Sequence, residues 1–105
     1  LDSPLPADRR VVLRAVVRHL ETARPTVVVV GLAGDIAAPG PEAGAPDLML
    51  LAPGGRCVFV QIKTQAAELT RPQKGFADLC RGCAVPLLVV RSLPEACAAF
   101  DRLNL

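Results

Sequence analysis

The chain has 105 residues, of which 51% are hydrophobic and 21% charged, so it can build a core and is not a disordered chain. Its length is that of one domain, and we expect residues 1–105 to form a single domain. Tryptophan and tyrosine are absent and phenylalanine is scarce, which argues against the aromatic platforms of single-strand-binding proteins. The net charge of +2 is weak evidence for nucleic acid on its own.

Neither a membrane span nor a targeting leader is expected. The longest apolar runs, residues 27–30 and 87–90, are of strand length and too short to cross a bilayer. No charged-then-apolar leader opens the chain, so we expect a cytoplasmic protein with four free thiols. The alternative is a zinc or redox pair at Cys80 and Cys83. Its remaining ligands would have to be Cys57, Cys97 or His19.

The first predicted helix follows an arm of residues 1–6. Asp8 can be its N-cap or a first-turn acid, and the helix runs to about Ala23, because Pro25 then stops it. Five side chains follow the i, i+3, i+4 spacing of a core-facing stripe, namely Val12, Ala15, Val16, His19 and Ala23. A packed helix histidine is therefore favoured over a general base at His19.

Another face of this helix is basic. Arg10, Arg14 and Arg18 are spaced four residues apart, which costs a few tenths of a kcal/mol for each like-charged pair. A solvated basic face is one interpretation of this spacing. A ridge that contacts nucleic-acid phosphates is the other.

A strand, a loop and a hairpin come next. Residues 26–30 are β-branched and apolar, which predicts a strand covered on both sides, and residues 31–45 are a Gly-, Ala- and Pro-rich loop. Two apolar runs then flank Ala52-Pro53-Gly54-Gly55, which predicts a β-hairpin. In that hairpin Asp47 lies roughly opposite Gln61, and Gln61 and Lys63 share one face.

The second half of the chain contains a helix between two strands. Residues 70–73, Thr-Arg-Pro-Gln, have the form of a capping box that starts a helix to about Arg81, and Gly82 ends it. Residues 85–91 are a buried strand, and Pro86 indicates the start of that strand or an edge position.

A second capping-box sequence at residues 92–95 starts the last helix, which runs to about Leu103. The predicted order is αβββαβα. The strand before the middle helix and the strand after it form a β-α-β unit and should be parallel, whereas the hairpin is antiparallel. The sequence therefore predicts an α/β fold with a mixed four-stranded sheet and helices on both faces.

The stretch around the hairpin resembles the PD-(D/E)xK nuclease superfamily, and in detail its VRR-NUC branch. The matching pieces, within residues 44–92, are Gly44-x-Pro46-Asp47-Leu48, the hairpin, Gln61-x-Lys63-Thr64, Leu69-Thr70-x-x-Gln73, and Gly82 before the next strand. One departure matters, because the family has an acidic residue where this chain has Gln61. The resemblance implies a restriction-endonuclease-like core, in agreement with the periodicity.

The resemblance also implies a function. It implies a Mg²⁺- or Mn²⁺-dependent endodeoxyribonuclease that acts on branched, flap or junction DNA in repair or recombination, as a homodimer. Asp47, Gln61 and the Ile62 carbonyl are the implied metal ligands, Lys63 would orient water or stabilise charge, and Gln73 is the motif glutamine. Structural alternatives exist for three of them: Asp47 could cap a turn, Lys63 could be a strand-end lysine, and the capping box alone explains Gln73.

The amide at Gln61 leaves three interpretations open. Another acid compensates for the lost charge, or the protein binds DNA without cutting it, or the glutamine is a change that disables an active enzyme. The candidate compensating acids are Asp8, Glu21, Asp35 and Glu42.

DNA contacts are expected from basic residues near the predicted site. Arg71 and Lys74 flank Gln73 at a helix N-terminus, where phosphate is favoured, and the arginine ridge of the first helix is a further candidate. Two other classes stay open, namely a catalytically silent DNA-binding or assembly module and an α/β interaction domain that binds no nucleic acid.

Overall fold

A computed structural model describes residues 5–32, 44–64 and 67–105, without the side chains of residues 5–8. The described helices are α1 (Leu5–Ala23), α2 (Arg71–Gly82) and α3 (Leu93–Arg102). The described strands are β1 (Val28–Gly31), β2 (Leu48–Ala52), β3 (Arg56–Ile62) and β4 (Leu87–Val90). The predicted order αβββαβα is confirmed.

The strands form one mixed sheet in the order β1-β2-β3-β4. β2 pairs antiparallel with β1 and β3, and β3 pairs parallel with β4 through the α2 crossover, as predicted. The hairpin closes where Ala52 faces Arg56. Gly54 and Gly55 in the turn have φ values of 85° and 74°, a left-handed backbone that glycine adopts without strain.

Helices cover both faces of the sheet. Side chains alternate along β3, so Val58, Val60 and Ile62 point into the core that α1 and α3 cover. Phe59 points the other way and packs edge-to-face on Phe76 of α2, with 5.1 Å between ring centroids. The predicted α/β class with helices on both faces is thus confirmed.

The buried stripe of α1 differs in part from the prediction. Val16 and Leu20 are fully buried, whereas Ala23, the last residue of the helix, is exposed. His19 is half-buried and stacks on Phe100 at a centroid distance of 6.2 Å, in line with a packed histidine. α1 also begins before Asp8, because Pro6 is tolerated in a first turn, so the N-cap interpretation of Asp8 was wrong.

The two edge strands are less buried than predicted. β1 is an edge strand and Val28 is 57% exposed, so the expectation that it is covered on both sides was wrong. A β-branched run identifies a strand but carries no information about its neighbours. β4 is the other edge, where only Val90 of its four residues is buried. It starts after Pro86, whose carbonyl accepts a 2.9 Å hydrogen bond from the Phe59 amide, as the proline predicted.

The start of α2 follows the prediction and its end does not. The Thr70 hydroxyl accepts from the Gln73 amide at 3.3 Å, and the Gln73 side-chain oxygen accepts from the Thr70 amide at 2.8 Å, which completes the capping box. Gly82 is the last helical residue. The left-handed residue that turns the chain away is Ala84, with φ of 59°, so Gly82 is not the terminating residue.

The second predicted capping box is half-formed. The Ser92 hydroxyl accepts from the Glu95 amide at 3.3 Å. The Glu95 carboxylate accepts from the Arg91 amide at 2.6 Å, one residue earlier than in the standard box. Its contact therefore ties the start of α3 to the end of β4.

Cys57, Cys80, Cys83 and Cys97 are free thiols in the structure. Across the described ranges, no three or more His, Cys, Asp or Glu side chains are grouped as a metal site. None of the helices described is long and apolar enough to cross a membrane.

Candidate active site

Asp47 lies at the open end of the hairpin and is 1% exposed. Its amide donates to the Val60 carbonyl at 3.0 Å, which continues the pairing of β2 with β3. Its carboxylate oxygen Oδ2 accepts from the Ile62 amide at 2.7 Å and from the Gln61 side-chain amide at 3.0 Å. The hairpin therefore brings Asp47 and Gln61 together as predicted, and both side chains are buried.

Arg9 completes the surroundings of this carboxylate. Its guanidinium forms an ion pair with Asp47 Oδ1, and that oxygen accepts no other hydrogen bond from the described residues. Burial lowers the pKa of Arg9, but arginine starts so high that the group stays charged at neutral pH. The prediction missed Arg9, although it precedes Val12 and Val16 by three and seven residues and so belongs to the buried stripe.

Lys63 follows directly after β3, and its amide donates to the Val90 carbonyl at 3.0 Å. Its side chain is half-buried. Burial lowers the pKa of Lys63, and the positive charges of Arg9 and Arg91 lower it further. Arg91 also donates to the Ala67 carbonyl at 2.7 Å, which ties the end of β4 to the segment after β3. Arg9, which pairs with Asp47, and Arg91 thus lie close enough to Lys63 to act on its charge.

The N-terminus of α2 is packed against the segment that leads into Asp47. A Cβ on Gly44 would lie 2.8 Å from the carbonyl carbon of Pro72 in the first turn of α2, and closer still to its oxygen. Only glycine allows this approach without a shift of backbone. The structure thereby places Gln73 on a helix turn next to the site segment, where its side chain is engaged in the capping box.

The basic residues predicted to contact DNA are exposed, namely Arg10, Arg14, Arg18, Arg71 and Lys74. The contact of Arg9 with Asp47 places the N-terminal part of α1 at the site. The close approach of Gly44 to Pro72 places the N-terminal part of α2 there as well. Arg10 and the α2 pair are therefore near the site, whereas Arg18 lies about 13 Å further along α1 than Arg9.

Of the four candidate compensating acids, the structure describes the side chain of Glu21 alone. Glu21 is exposed and lies twelve residues beyond Arg9, about 18 Å along the helix, so its proposed compensating role was wrong. Asp35, Glu42 and the side chain of Asp8 lie outside the described residues. The described site has one carboxylate.

The donor atoms at the site are of the kind that Mg²⁺ or Mn²⁺ binds. Asp47 Oδ1 accepts no hydrogen bond from the described residues, and the Gln61 amide uses its nitrogen toward Asp47, which leaves its oxygen free of that contact. The carbonyl and amide of one strand residue point to the same side, so the Ile62 carbonyl faces the Asp47 side of β3. Magnesium takes oxygen ligands, needs only one or two carboxylates and keeps several waters. These residues fit a metal site with one carboxylate, and the Arg9 guanidinium lies where the metal ion would bind.

The site thus belongs to an α/β fold with a mixed four-stranded sheet, and an acid and a lysine lie at the open end of its hairpin. A solved structure described as a VRR_NUC domain has the same fold, with a TM-score of 0.70 over 90% of this chain and 95% of that chain. The two sequences are 20% identical, so the match establishes the fold and not the chemistry. The fold-level resemblance to VRR-NUC domains is confirmed. No family model matches the sequence, and no curated protein matches it.

Proposed function

We propose that this domain binds DNA and hydrolyses its phosphodiester bonds with Mg²⁺ or Mn²⁺ held by Asp47, Gln61 and the Ile62 carbonyl. The observation that carries the proposal is the buried Asp47 carboxylate. Among the described residues its Oδ1 accepts no hydrogen bond and is paired with Arg9, and the charge of Arg9 in turn lowers the pKa of Lys63. A carboxylate is costly to bury, and an apolar hairpin end would be cheaper to build. The fold shared with a VRR_NUC domain supports the same conclusion.

The side chains of the site have distinct duties in this reaction. Two hydrogen bonds fix the orientation of Asp47, and these come from the Ile62 amide and the Gln61 side chain. The Lys63 ammonium can stabilise the negative charge that develops on the phosphate, an effect that is strong in a water-poor site. A bound divalent cation supplies Lewis-acid charge stabilisation and lowers the pKa of a water nucleophile. Gln73, held in its capping box, would orient groups at the edge of the site.

The substrate that we propose is branched or otherwise structured DNA, cut by a homodimer. Support for both comes from the resemblance to junction-cleaving VRR-NUC proteins. The N-terminus of α2 is the proposed contact with the phosphate backbone, because Arg71 and Lys74 are exposed there and a helix N-terminus favours a negatively charged group.

A silent DNA-binding module on the same fold is the second candidate. Two observations favour it: Gln61 donates to Asp47 where the family has an acid, and Arg9 already neutralises the carboxylate. A site with one carboxylate and several cations attracts a divalent ion weakly. This candidate predicts DNA binding that is salt-dependent without any cleavage.

Cleavage of a labelled four-way junction and of a flap substrate, with Mg²⁺ or Mn²⁺, separates the two candidates. The native chain should cut, Lys63→Ala should reduce the rate by at least about a hundredfold, and EDTA should abolish it. If only Gln61→Glu cuts, the domain is a silenced nuclease. If neither the native chain nor Gln61→Glu cuts DNA, and neither binds it, the nuclease proposal fails and an interaction domain remains as the proposed class.

The proposed DNA contact is tested by the salt dependence of binding. Arg71→Ala or Lys74→Ala should each reduce the slope of log K against log salt by about one, because one phosphate contact is lost. Arg102→Ala is the matched control, since Arg102 is exposed at the end of α3. The carbonyls of Leu103 and Asn104, which follow Arg102, accept hydrogen bonds from Arg56. Arg56 lies about 20 Å along β3 from Ile62, so this end of α3 is far from the site. An unchanged slope would remove that α2 residue from the interface.

A further inference from the structure

We propose that Arg9 acts as a built-in competitor of the divalent metal: its guanidinium occupies the cation position on Asp47, and metal binding requires it to leave. The proposal rests on the proposed function, because it concerns the same carboxylate. It adds a positioning residue on α1 that is not part of the hairpin and that the sequence analysis did not name.

The first argument is the occupancy of the two carboxylate oxygens. Oδ2 is engaged by the Ile62 amide at 2.7 Å and the Gln61 side chain at 3.0 Å. Oδ1 has the Arg9 ion pair and no hydrogen bond from the described residues. A cation that binds Asp47 without breaking the hairpin must therefore approach Oδ1, where the guanidinium already lies.

The second argument is the difference in burial between the two partners. The Asp47 side chain is 1% exposed and is fixed by two hydrogen bonds, whereas the Arg9 side chain is 34% exposed. Arginine has a long and flexible side chain, so it can withdraw toward solvent while the carboxylate stays in place. Opening of the site thus needs the movement of one side chain.

The third argument is charge balance, and it involves Gln61. A buried carboxylate needs a positive partner when no metal is bound. With an amide at Gln61 the described site carries one carboxylate, which one guanidinium neutralises. A second carboxylate would leave an uncompensated negative charge beside Asp47. The glutamine and Arg9 are therefore consistent with a site built to be stable in both the metal-free and the metal-bound state.

The test measures metal binding directly, without cleavage. Free Mn²⁺ is titrated by electron paramagnetic resonance against the native domain, Arg9→Gln, Asp47→Asn and Arg102→Gln at 0.15 M salt. Removal of the competing charge should tighten Mn²⁺ binding about tenfold in Arg9→Gln. Arg102→Gln removes the same charge from an exposed residue at the end of α3 and should change the affinity by less than about twofold. Asp47→Asn added to Arg9→Gln should remove the gain.

A second measurement needs no substitution and so does not depend on how well a variant folds. In the native domain, the Arg9 Nε–H resonance is followed by ¹H–¹⁵N NMR during a titration with Mg²⁺. The resonance should shift, and its exchange with water should accelerate, with the midpoint of Mg²⁺ binding.

The outcomes separate the two proposals. Tighter Mn²⁺ binding by Arg9→Gln together with the NMR change supports competition. If Arg9→Gln binds Mn²⁺ no tighter than the native domain while Asp47→Asn binds it less tightly, competition is refuted and the nuclease proposal stands. If no variant binds Mn²⁺ and none cuts DNA, both proposals fail.

Discussion

Replacement of Gln61 by glutamate would put a second buried carboxylate against Asp47. The Gln61 side-chain nitrogen lies 3.0 Å from Asp47 Oδ2, and the two side chains are 3% and 1% exposed. Gln61→Glu has nearly the same shape, but it replaces a hydrogen-bond donor by a negatively charged acceptor. In the absence of metal, we expect the variant to be less stable than the native domain at neutral pH.

The loss in free energy of unfolding can be estimated in two ways. Two unit charges about 4 Å apart repel by about 4 kcal/mol at an effective dielectric constant of 20. The alternative is to protonate one carboxyl, which at pH 7.5 costs about 4 kcal/mol from an ordinary pKa near 4.3 and restores a hydrogen bond. Arg9 offsets part of either cost, so the free energy of unfolding should fall by about 3 kcal/mol.

The pH dependence follows from the direction of the shift. The introduced carboxyl has a raised pKa in the folded state, so the penalty is fully present above that pKa and is relieved as the pH falls through it. At pH 5.5 the loss should shrink to less than about 0.5 kcal/mol, because protonation is about 2.7 kcal/mol cheaper than at pH 7.5. Millimolar Mg²⁺ at pH 7.5 should restore most of the stability if the site binds metal.

Urea denaturation in EDTA at pH 7.5 and 5.5, and again with Mg²⁺, measures all three effects. Gln73→Glu is the matched control, since its side-chain oxygen accepts from the Thr70 amide at 2.8 Å and a carboxylate can accept the same bond. That control should be neutral or slightly stabilising at a helix N-terminus. If Gln61→Glu is as stable as the native domain in EDTA at pH 7.5, Gln61 does not lie against Asp47 and the site geometry is wrong.

Two further predictions concern packing and thiol reactivity. Gly44→Ala should lower the free energy of unfolding by about 1–3 kcal/mol, measured by urea denaturation, because the added methyl group overlaps the first turn of α2; a neutral result would mean that this close packing is absent. Burial, and then the neighbouring Cys83 and Cys57 thiols, raise the pKa of Cys80. Iodoacetamide at pH 8 should therefore modify the exposed Cys83 at least about tenfold faster than the buried Cys80, as measured by peptide mass spectrometry. Equal rates at Cys80 and Cys83 would contradict the burial of Cys80.

Local sequence signals predicted much of the fold. The Thr70–Gln73 capping box, the Gly54–Gly55 turn and the start of β4 after Pro86 all depend on residues close together in the chain, and each is present. The meeting of Asp47 with Gln61 also followed, because the length of the turn sets the register of a hairpin. Agreement between local preference and global fold made these features predictable.

Contacts between distant elements were not predictable in the same way. Arg9 was missed, although its spacing from Val12 and Val16 puts it on the buried stripe, because nothing local indicates that α1 brings it to Asp47. Arg91 was read only as the end of a strand, although it influences Lys63 and reaches Ala67. The exposure of Val28 depends on which strand lies at the edge, and nothing in residues 26–30 encodes that.

Asp47 has a structural role in the hairpin as well as its proposed role in metal binding, and this affects how relatives of this domain should be interpreted. Its carboxylate closes the hairpin by accepting from the Ile62 amide, so the stability of the fold is a sufficient reason for this aspartate whether or not the protein cuts DNA. Asp47→Ala would leave that buried amide without a partner, at a cost of about 1–3 kcal/mol. Lys63 makes no side-chain hydrogen bond of this kind within the described residues. In an evolutionary comparison, the lysine is therefore the better marker of a lineage that still cleaves.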